Sequence, residues 1–287
     1  MIFRNLNEAF TESIVKVARE GCEVHSRGSK QKEILFFNCV IEDPTDLNIE
    51  VPIRKFKPDY GIAEWLWYCS RNPDVNNIGQ LASIWNKIAD NDNNVQSNYG
   101  CYLLGEQWDW VKNELLTDPD SRRATLVINQ PHHKNENPLD YPCTQYVHFF
   151  IRDNELHMGV NMRSNDAVFG FCNDVFTFSM FQQLMLNDLN SHLRSRRMNL
   201  YCGALKLGKY YHQAGSFHVY ENHFRMMDLI CENYYMQTSG NYPECTKFKL
   251  KASITTDAIP RFRMPNNTLT KEQINNHVKE ARELIYV

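Results

Sequence analysis

The segment FTFSMFQQLMLNDL, which begins just after Asp174, constrains the fold most strongly. Its large apolar residues fall on one stripe at helical spacing: Phe176, Met180, Phe181, Leu184 and Met185. Such a stripe predicts a helix that packs in the core of the protein.

Short apolar segments predict the strands of a sheet. They lie at residues 34–41, 123–130, 144–151 and 155–162. Helical spacing of apolar residues predicts a helix over Leu6–Glu20, closed by Gly21. The apolar stretch 60–68, which contains the single carboxylate Glu64, is predicted to be helical as well.

The clearest element of the C-terminal part starts with a capping box formed by Thr270 and Gln273. The helix that follows carries one apolar face: Ile274, Val278, Ala281 and Ile285. Together these elements predict an α+β fold, a large sheet covered by helices. The chain has no internal repeat and no Pro/Gly/Ser linker, so we expect a single domain over 1–287, with 225–287 as a divergent C-terminal extension.

The charge balance limits the possible partners. The formal net charge is −3, so the sequence does not predict a surface for long nucleic acids. Phosphate binding would need a local cluster of arginines, which suits a small nucleotide better than a duplex.

The nine cysteines are dispersed, and no CxxC pair occurs among them. This pattern predicts neither a disulfide framework nor a metal site, and we expect reduced, mostly buried thiols. The chain has no apolar run of 18 residues, and its first twenty residues mix charges through a helical pattern. We therefore expect a soluble cytoplasmic protein that does not enter a membrane.

Cys143, in the segment DYPCTQY, is the candidate nucleophile. It follows a proline, precedes a predicted strand and lies close in sequence to Arg122 and Arg123. Guanidinium groups stabilise a thiolate and bind anionic substrates. On this context alone Cys143 is either a nucleophile or a buried spectator. A Cys–His hydrolase is an alternative, with these candidate histidines: His132, His133, His148 and His218.

The run NMRSNDAVFGFCND, residues 161–174, is polar and leads directly into the apolar helix. This position favours a pocket floor, although a loop held by its own Asx turns would look similar. Arg163 and Ser164 together suit a phosphate or oxyanion. His218 and Tyr220 are two residues apart, so on a strand they share one face and could bind a sugar edge, a common pattern that is weak alone.

Several motifs in order carry a resemblance to a known family: AEWLWY, IW, SNYG, PDSRR, CT, RDNEL, NMRSNDAVFGFCND and SFHVYENHF. They resemble the thymidylate synthase superfamily, most closely its branch of bacteriophage deoxycytidylate hydroxymethylases. The resemblance covers the chain from the Arg27 region to His223. It implies a thymidylate-synthase-like fold and a homodimer packed through the sheet.

The resemblance also implies catalytic and cofactor roles. Cys143 matches the nucleophile that adds to C6 of the pyrimidine. Glu64 matches a carboxylate that organises active-site water, and Tyr99 a residue that aids proton removal. Trp85 and Asp166 match residues beside the cofactor 5,10-methylenetetrahydrofolate.

The implied phosphate site is an arginine cluster. Arg163 and Ser164 match phosphate ligands of the same subunit. Arg122 and Arg123 match arginines donated across a dimer interface, and Arg27 falls at the position of a mobile phosphate-binding arginine. In the same way, His218 and Tyr220 match the pair that binds the 3′-hydroxyl of deoxyribose.

One position indicates the base. Counting Arg163 as the first place of its string, the twelfth is Asp174, where thymidylate synthases have an asparagine that pairs with uracil. A carboxyl accepts from the amino group of cytosine and, when protonated, shares a proton with N3, whereas a carboxylate would repel O4 of uracil. Thr144, in place of the histidine that usually follows the nucleophile, indicates the same branch.

The expected reaction is therefore addition of a one-carbon unit to C5 of dCMP with hydration, giving 5-hydroxymethyl-dCMP. Four alternatives remain open at this point: reductive methylation, hydroxymethylation of dUMP, a CMP-specific variant, and a non-catalytic nucleotide- or RNA-binding protein on the same fold. Whether Val287 serves as a cofactor-closing tail also remains open.

Overall fold

The computed structural model describes residues 1–26, 28–134, 136–196, 204–236 and 246–286. Within these ranges a seven-stranded mixed sheet has the order β1-β3-β7-β6-β5-β4, with β2 also paired to β3. Its strands are β1 Ile2–Phe3, β2 Cys22–Ser26, β3 Ser29–Ile41, β4 Thr125–Val127, β5 Thr144–Arg152, β6 Glu155–Asp166 and β7 Lys206–Tyr220. A small second sheet pairs β8, Lys249–Leu250, with β9, Ile285–Tyr286.

The helices of the described residues lie between and after these strands. They are α1 Leu6–Glu20, α2 Pro58–Ser70, α3 Ile84–Ile88, α4 Gly100–Leu103, α5 Glu106–Thr117, α6 Gly170–Arg196, α7 Phe224–Met236 and α8 Lys271–Ala281. Among them, none combines the length and hydrophobicity that a membrane crossing requires.

Helix α6 is the centre of the core. All five residues of its predicted apolar stripe are buried. The helix connects β6 to β7, which pair in parallel, and packs against both strands and against α2. It therefore joins the helical layer to the middle of the sheet, and the polar run at its N-terminus lies beside the ends of β6 and β7.

The C-terminal part packs into the same core rather than beside it. Phe248, Ile254 and Ile274 are buried. Gln183 of α6 donates to the Phe248 carbonyl (3.1 Å) and accepts from the Leu250 N–H (2.7 Å). The capping box predicted at Thr270 and Gln273 is confirmed, with both reciprocal hydrogen bonds formed.

The predicted elements are present in the structure, but several differ in length. Strand β3 begins earlier, at Ser29, and β6 continues to Asp166. The C-terminal helix ends at Ala281, so Ile285, predicted on its apolar face, lies in β9 instead. The helix over Leu6–Glu20 is confirmed, and the α+β class with a large mixed sheet is confirmed. The strand predicted over 123–130 is shorter, because β4 comprises only Thr125–Val127. Beyond it, the N–H groups of Ile128 and Asn129 both donate to the Gln145 carbonyl, which ends the regular ladder.

One face of the sheet lies against the helices, and the other face is exposed or half-buried. Along β5 and β7, residues of the second face alternate with core residues and remain exposed or half-buried in the described part of the chain. Exposed apolar side chains of the sheet include Tyr146, Tyr211 and Leu35. A sheet face with this content is typical of a surface that packs against another protein.

Candidate active site

Cys143 immediately precedes β5 and lies beside Arg163 of β6. The Arg163 Nη2 atom is 3.7 Å from the Cys143 Sγ atom. The same guanidinium donates to the carbonyls of Tyr141 (2.6 Å) and Pro142 (3.1 Å), and the Arg163 N–H donates to the Cys143 carbonyl (2.8 Å). These bonds fix the loop that carries the thiol. A guanidinium at this distance favours the thiolate, which is the nucleophilic form of cysteine.

Tyr99 faces the same place from the helical layer. Its ring stacks between Tyr68 (centroids 5.2 Å apart) and Phe178 (5.7 Å), and its hydroxyl accepts from the Thr144 N–H at 3.4 Å. Burial, followed by the charges of Cys143 and Asp174, raises the pKa of Tyr99 well above its usual value. Tyr99 is therefore a neutral hydroxyl that can donate a proton or hold a water molecule near both groups.

A close helix contact sets the position of Tyr99. A Cβ atom on the following residue, Gly100, would lie 1.6 Å from the Tyr68 carbonyl oxygen. Only glycine permits this approach of α4 to α2.

Glu64 is buried in the middle of α2, with 5% of its surface exposed. Its Oε1 accepts from the Tyr60 hydroxyl (2.7 Å), and that hydroxyl accepts from the Trp85 indole N–H (2.9 Å). Burial, then repulsion by Asp174, raises the pKa of Glu64 to about 8. Glu64 therefore retains a proton at neutral pH and can exchange it with a nearby water molecule.

Asp174 lies on the first turns of α6. Its Oδ2 accepts from the Asn165 amide (2.7 Å). Burial is the main cause that raises its pKa to about 7, and the Asn165 hydrogen bond opposes this shift. At neutral pH Asp174 is thus divided between the acid and the carboxylate. The acid form has one donor and one acceptor, so it can pair with a partner that offers both.

His218 and Tyr220 share a face of β7, as their spacing predicted, with ring centroids 4.7 Å apart. The Ser216 hydroxyl donates to Glu33 and lies 3.3 Å from the His218 Nδ1, so this nitrogen must donate to Ser216. Burial lowers the pKa of His218, so the ring is neutral. Its Nε2 then carries a lone pair, and this atom is buried with no hydrogen-bond partner among the described residues. It can accept from a hydroxyl of a ligand.

Other predicted residues lie at different points. Ser164 pairs in register with Ser216, which brings it to the His218 end of the site. Asp166 caps α6 by accepting from the N–H groups of residues 168–170. Arg122 and Arg123 are exposed on the loop before β4, and Arg123 forms an ion pair with Glu114 (2.7 Å). Arg27 and Val287 lie outside the described residues.

The Cys–His hydrolase alternative gains no support from the contacts of its histidines. His133 bonds the Tyr102 hydroxyl (2.9 Å), and His148 bonds the Arg122 carbonyl (3.1 Å). Within the described ranges, no group of His, Cys, Asp and Glu side chains could hold a metal ion.

Sequence reasoning missed Tyr60, Asn165 and His212. Tyr60 precedes Glu64 by one helical turn, a spacing that predicts contact on a helix. Asn165 lies inside the polar run but no role was predicted for it. His212 forms a hydrogen bond with Asn165. No sequence pattern predicts this contact, because the two residues lie on different strands and are distant in sequence.

Comparisons with known proteins show the family and the fold of this chain. A family model described as thymidylate synthase matches residues 8–280. Deoxycytidylate 5-hydroxymethyltransferase of Enterobacteria phage T4 is 31% identical over 214 residues, which cover 71% of this chain and 82% of that protein. Thymidylate synthase 1 of Bacillus subtilis (strain 168) is 28% identical over 202 residues, 64% of this chain and 66% of that protein. The structure of thermostable thymidylate synthase A from Bacillus subtilis has a TM-score of 0.63 at 17% identity, covers 86% of this chain and 87% of its own, and shows the shared fold.

Proposed function

The chain belongs to the thymidylate synthase family of one-carbon transferases, and we propose that within it the chain converts dCMP to 5-hydroxymethyl-dCMP. The observation that carries the proposal is Asp174, a partly buried carboxyl whose pKa is raised to about 7. The resemblance to the family assigns this position to pairing with the base. The name shared by the phage relatives, deoxycytidylate 5-hydroxymethyltransferase, supports the same substrate and product.

Base recognition follows from the two states of Asp174. One carboxyl oxygen accepts from the exocyclic amino group of cytosine, while the protonated oxygen donates to N3. Uracil presents a donor at N3 and an acceptor at O4, so both contacts are mismatched in a buried site when the proton stays on the oxygen that faces N3. Such mismatches discriminate by orders of magnitude.

Covalent catalysis follows from Cys143. Its thiolate, favoured by Arg163, attacks C6 of the pyrimidine, and C5 becomes nucleophilic. A proton from Asp174 at N3 makes C6 a better electrophile. After C5 has taken the one-carbon unit, its proton leaves with the help of Tyr99 or an ordered water molecule. The bond from the new carbon to its carrier breaks with release of tetrahydrofolate, and an exocyclic methylene remains on the nucleotide.

The last step is hydration. Glu64 sits in a hydrogen-bonded chain with Tyr60 and Trp85, so its second oxygen can orient a water molecule, and the ionised form of Glu64 accepts the proton that this water loses. This water adds to the exocyclic methylene on the nucleotide, and the Cys143 sulfur departs from C6. The product retains the water oxygen as a hydroxymethyl group.

The one-carbon donor in this proposal is 5,10-methylenetetrahydrofolate, which supplies a methylene group when bound. The residues present fit it: Ile84, next to Trp85, is 53% exposed and offers an apolar surface for a planar ring. Trp85 is linked to Glu64 through the Tyr60 hydroxyl and would lie beside the bound ring. Asp166 lies close to Asp174 and adds acceptor oxygens for a polar ring edge, beyond its role as helix cap.

The phosphate site is proposed to be completed in a homodimer. Arg163 and Ser164 would contact the phosphate from one subunit, with Arg27 closing over it. Arg122 and Arg123, exposed on their own subunit, would reach it from the other. The exposed second sheet face supports this packing, and there Phe36 is 81% exposed with a φ of +52°, an unusual conformation for a bulky residue.

The test is mass spectrometry of dCMP and dUMP, each incubated with the protein and methylenetetrahydrofolate, while absorbance at the dihydrofolate band is followed. We expect a hydroxymethyl increment on dCMP without dihydrofolate. A methyl increment with dihydrofolate would refute hydration. Preference for dUMP would refute the base assignment, and no turnover of either would support a binding protein. Asp174→Asn should shift preference toward dUMP.

A further inference from the structure

A chain of buried hydrogen bonds runs from Asp174 away from the site into the sheet. Asn165 donates to the Asp174 Oδ2 (2.7 Å), and its Oδ1 lies 3.1 Å from the His212 Nε2. The His212 Nδ1 lies 3.2 Å from the Tyr210 hydroxyl. Asn165, His212 and Tyr210 are all buried, so the three side chains form a closed polar relay behind the carboxyl.

The hydrogen-bonding groups of each side chain determine which atoms of this relay donate and which accept. An Asn165 amide turned the other way would place its oxygen against the carboxyl oxygen, so its N–H₂ group faces Asp174 and its oxygen needs a donor. Burial lowers the pKa of His212 to about 3, so the ring is neutral and carries one N–H. That N–H must be at Nε2, facing Asn165, and Nδ1 then accepts from the Tyr210 hydroxyl.

We propose that His212 and Tyr210 are positioning residues that act through Asn165 to make the Asp174 Oδ2 a permanent acceptor, and that they thereby help to select cytosine over uracil. This inference rests on the proposed role of Asp174 in base recognition.

The consequence for Asp174 follows from its lone pairs. Oδ2 accepts from Asn165, so protonating that oxygen would weaken this hydrogen bond, and the acid proton is placed on Oδ1. Oδ2 still has a lone pair for the amino group of cytosine, and Oδ1–H can donate to N3. Uracil needs the reverse arrangement, a donor facing O4 and an acceptor facing N3–H. Without the relay, the carboxyl can protonate at either oxygen and adapt to both bases.

A purely structural role makes a different prediction. His212 also packs edge-on against the Phe171 ring (centroids 5.0 Å apart), so its loss could loosen the core without changing selectivity. Gln182 provides a matched control. It is buried on α6 and donates to the carbonyls of Leu156 (2.9 Å), Gly208 (3.1 Å) and Lys209 (3.3 Å), and none of these hydrogen bonds involves a side chain of the relay.

The experiment measures binding of dCMP and dUMP by calorimetry, and kcat/KM for both, in the unchanged protein and four variants. The variants are His212→Phe, His212→Gln, Tyr210→Phe and Gln182→Leu. We expect His212→Phe to reduce the dCMP-to-dUMP affinity ratio about tenfold, since one buried hydrogen bond is redirected. The dCMP KM should rise more than kcat falls. His212→Gln, which keeps an N–H donor, should restore much of the ratio.

Tyr210→Phe removes only a hydroxyl, so it provides a second test of the relay if His212→Phe does not fold. It should lower the dCMP-to-dUMP affinity ratio by a smaller factor. Gln182→Leu should lower thermal stability and leave the ratio unchanged. An unchanged dCMP-to-dUMP affinity ratio in His212→Phe and in Tyr210→Phe would overturn the proposed role of the relay. An equal loss of affinity for both nucleotides would also overturn it. A protein that binds dUMP better would overturn the base assignment as well. Tight dCMP binding with a methylated product would refute hydration and leave the relay intact.

Discussion

The two carboxyls of the site should make the stability of the protein fall as the pH rises through neutrality. The pKa of Glu64 is raised from 4.5 to about 8, and that of Asp174 from 3.8 to about 7, in both cases chiefly by burial. The folded protein therefore holds protons that the unfolded chain has released. The contribution of these two groups to the free energy of unfolding is fully present below about pH 4. It is lost progressively as the pH rises to about 8.

The size of the effect can be worked out over a narrow window. Between pH 6.5 and 8 the two shifts predict a loss of about 2 kcal/mol in the free energy of unfolding, roughly two-thirds of it from Glu64. Below this window buried histidines with lowered pKa, such as His212, act in the opposite direction. Above it buried thiols with raised pKa, such as Cys39, begin to contribute.

Equilibrium urea unfolding at pH 6.5 and pH 8, at one protein concentration, measures this loss. Glu64→Gln should reduce it to below about 1 kcal/mol, because an uncharged amide has no proton to lose. Glu114→Gln is the control, since hydrogen bonds from Ser121 and Arg123 lower the pKa of Glu114, and it is ionised in both states through this window. If Glu64→Gln loses as much stability as the unchanged protein, the assigned pKa of Glu64 is wrong.

Three further changes test the site and its support. Cys143→Ser should lower kcat by at least about 10³-fold while dCMP binding, measured by calorimetry, stays within a few fold. Gly100→Ala should cost more than about 3 kcal/mol by urea unfolding, because the added Cβ would lie 1.6 Å from the Tyr68 carbonyl oxygen; a cost below 1 kcal/mol would refute the close contact. Gln183→Leu should cost about 2–4 kcal/mol, because it leaves the Phe248 carbonyl and the Leu250 N–H buried and unpaired; Gln183→Glu at low pH should cost less.

Local pattern was enough to predict the elements that position the site. The stripe on α6 and the limits of α1 follow from helical periodicity, which depends on residues within one or two turns. The face shared by His218 and Tyr220 follows from the two-residue repeat of a strand. Each of these features is set by side chains close together in the sequence, so the sequence alone contains the information.

The surroundings of the carboxyls could not be predicted in this way. Asn165 and His212 are 47 residues apart, and their contact depends on the parallel register of β6 and β7. The raised pKa of Glu64 depends on burial by several elements and on the distance to Asp174, a residue on another helix. Pairing across strands and burial by tertiary packing are properties of the whole fold, and no single segment encodes them.

The same burial that makes Asp174 useful also makes it costly. A carboxyl that must be an acid at one oxygen and an acceptor at the other needs a pKa near neutrality, and exposure to water would return it to about 4. Burial supplies the shift but places an ionisable group in the core beside Glu64, which lowers stability at higher pH. The Asn165 hydrogen bond offsets part of this cost and, because His212 holds the amide in one orientation, does so at one oxygen only. Stability and selectivity are therefore coupled at this carboxyl, and a change that relaxes one should alter the other.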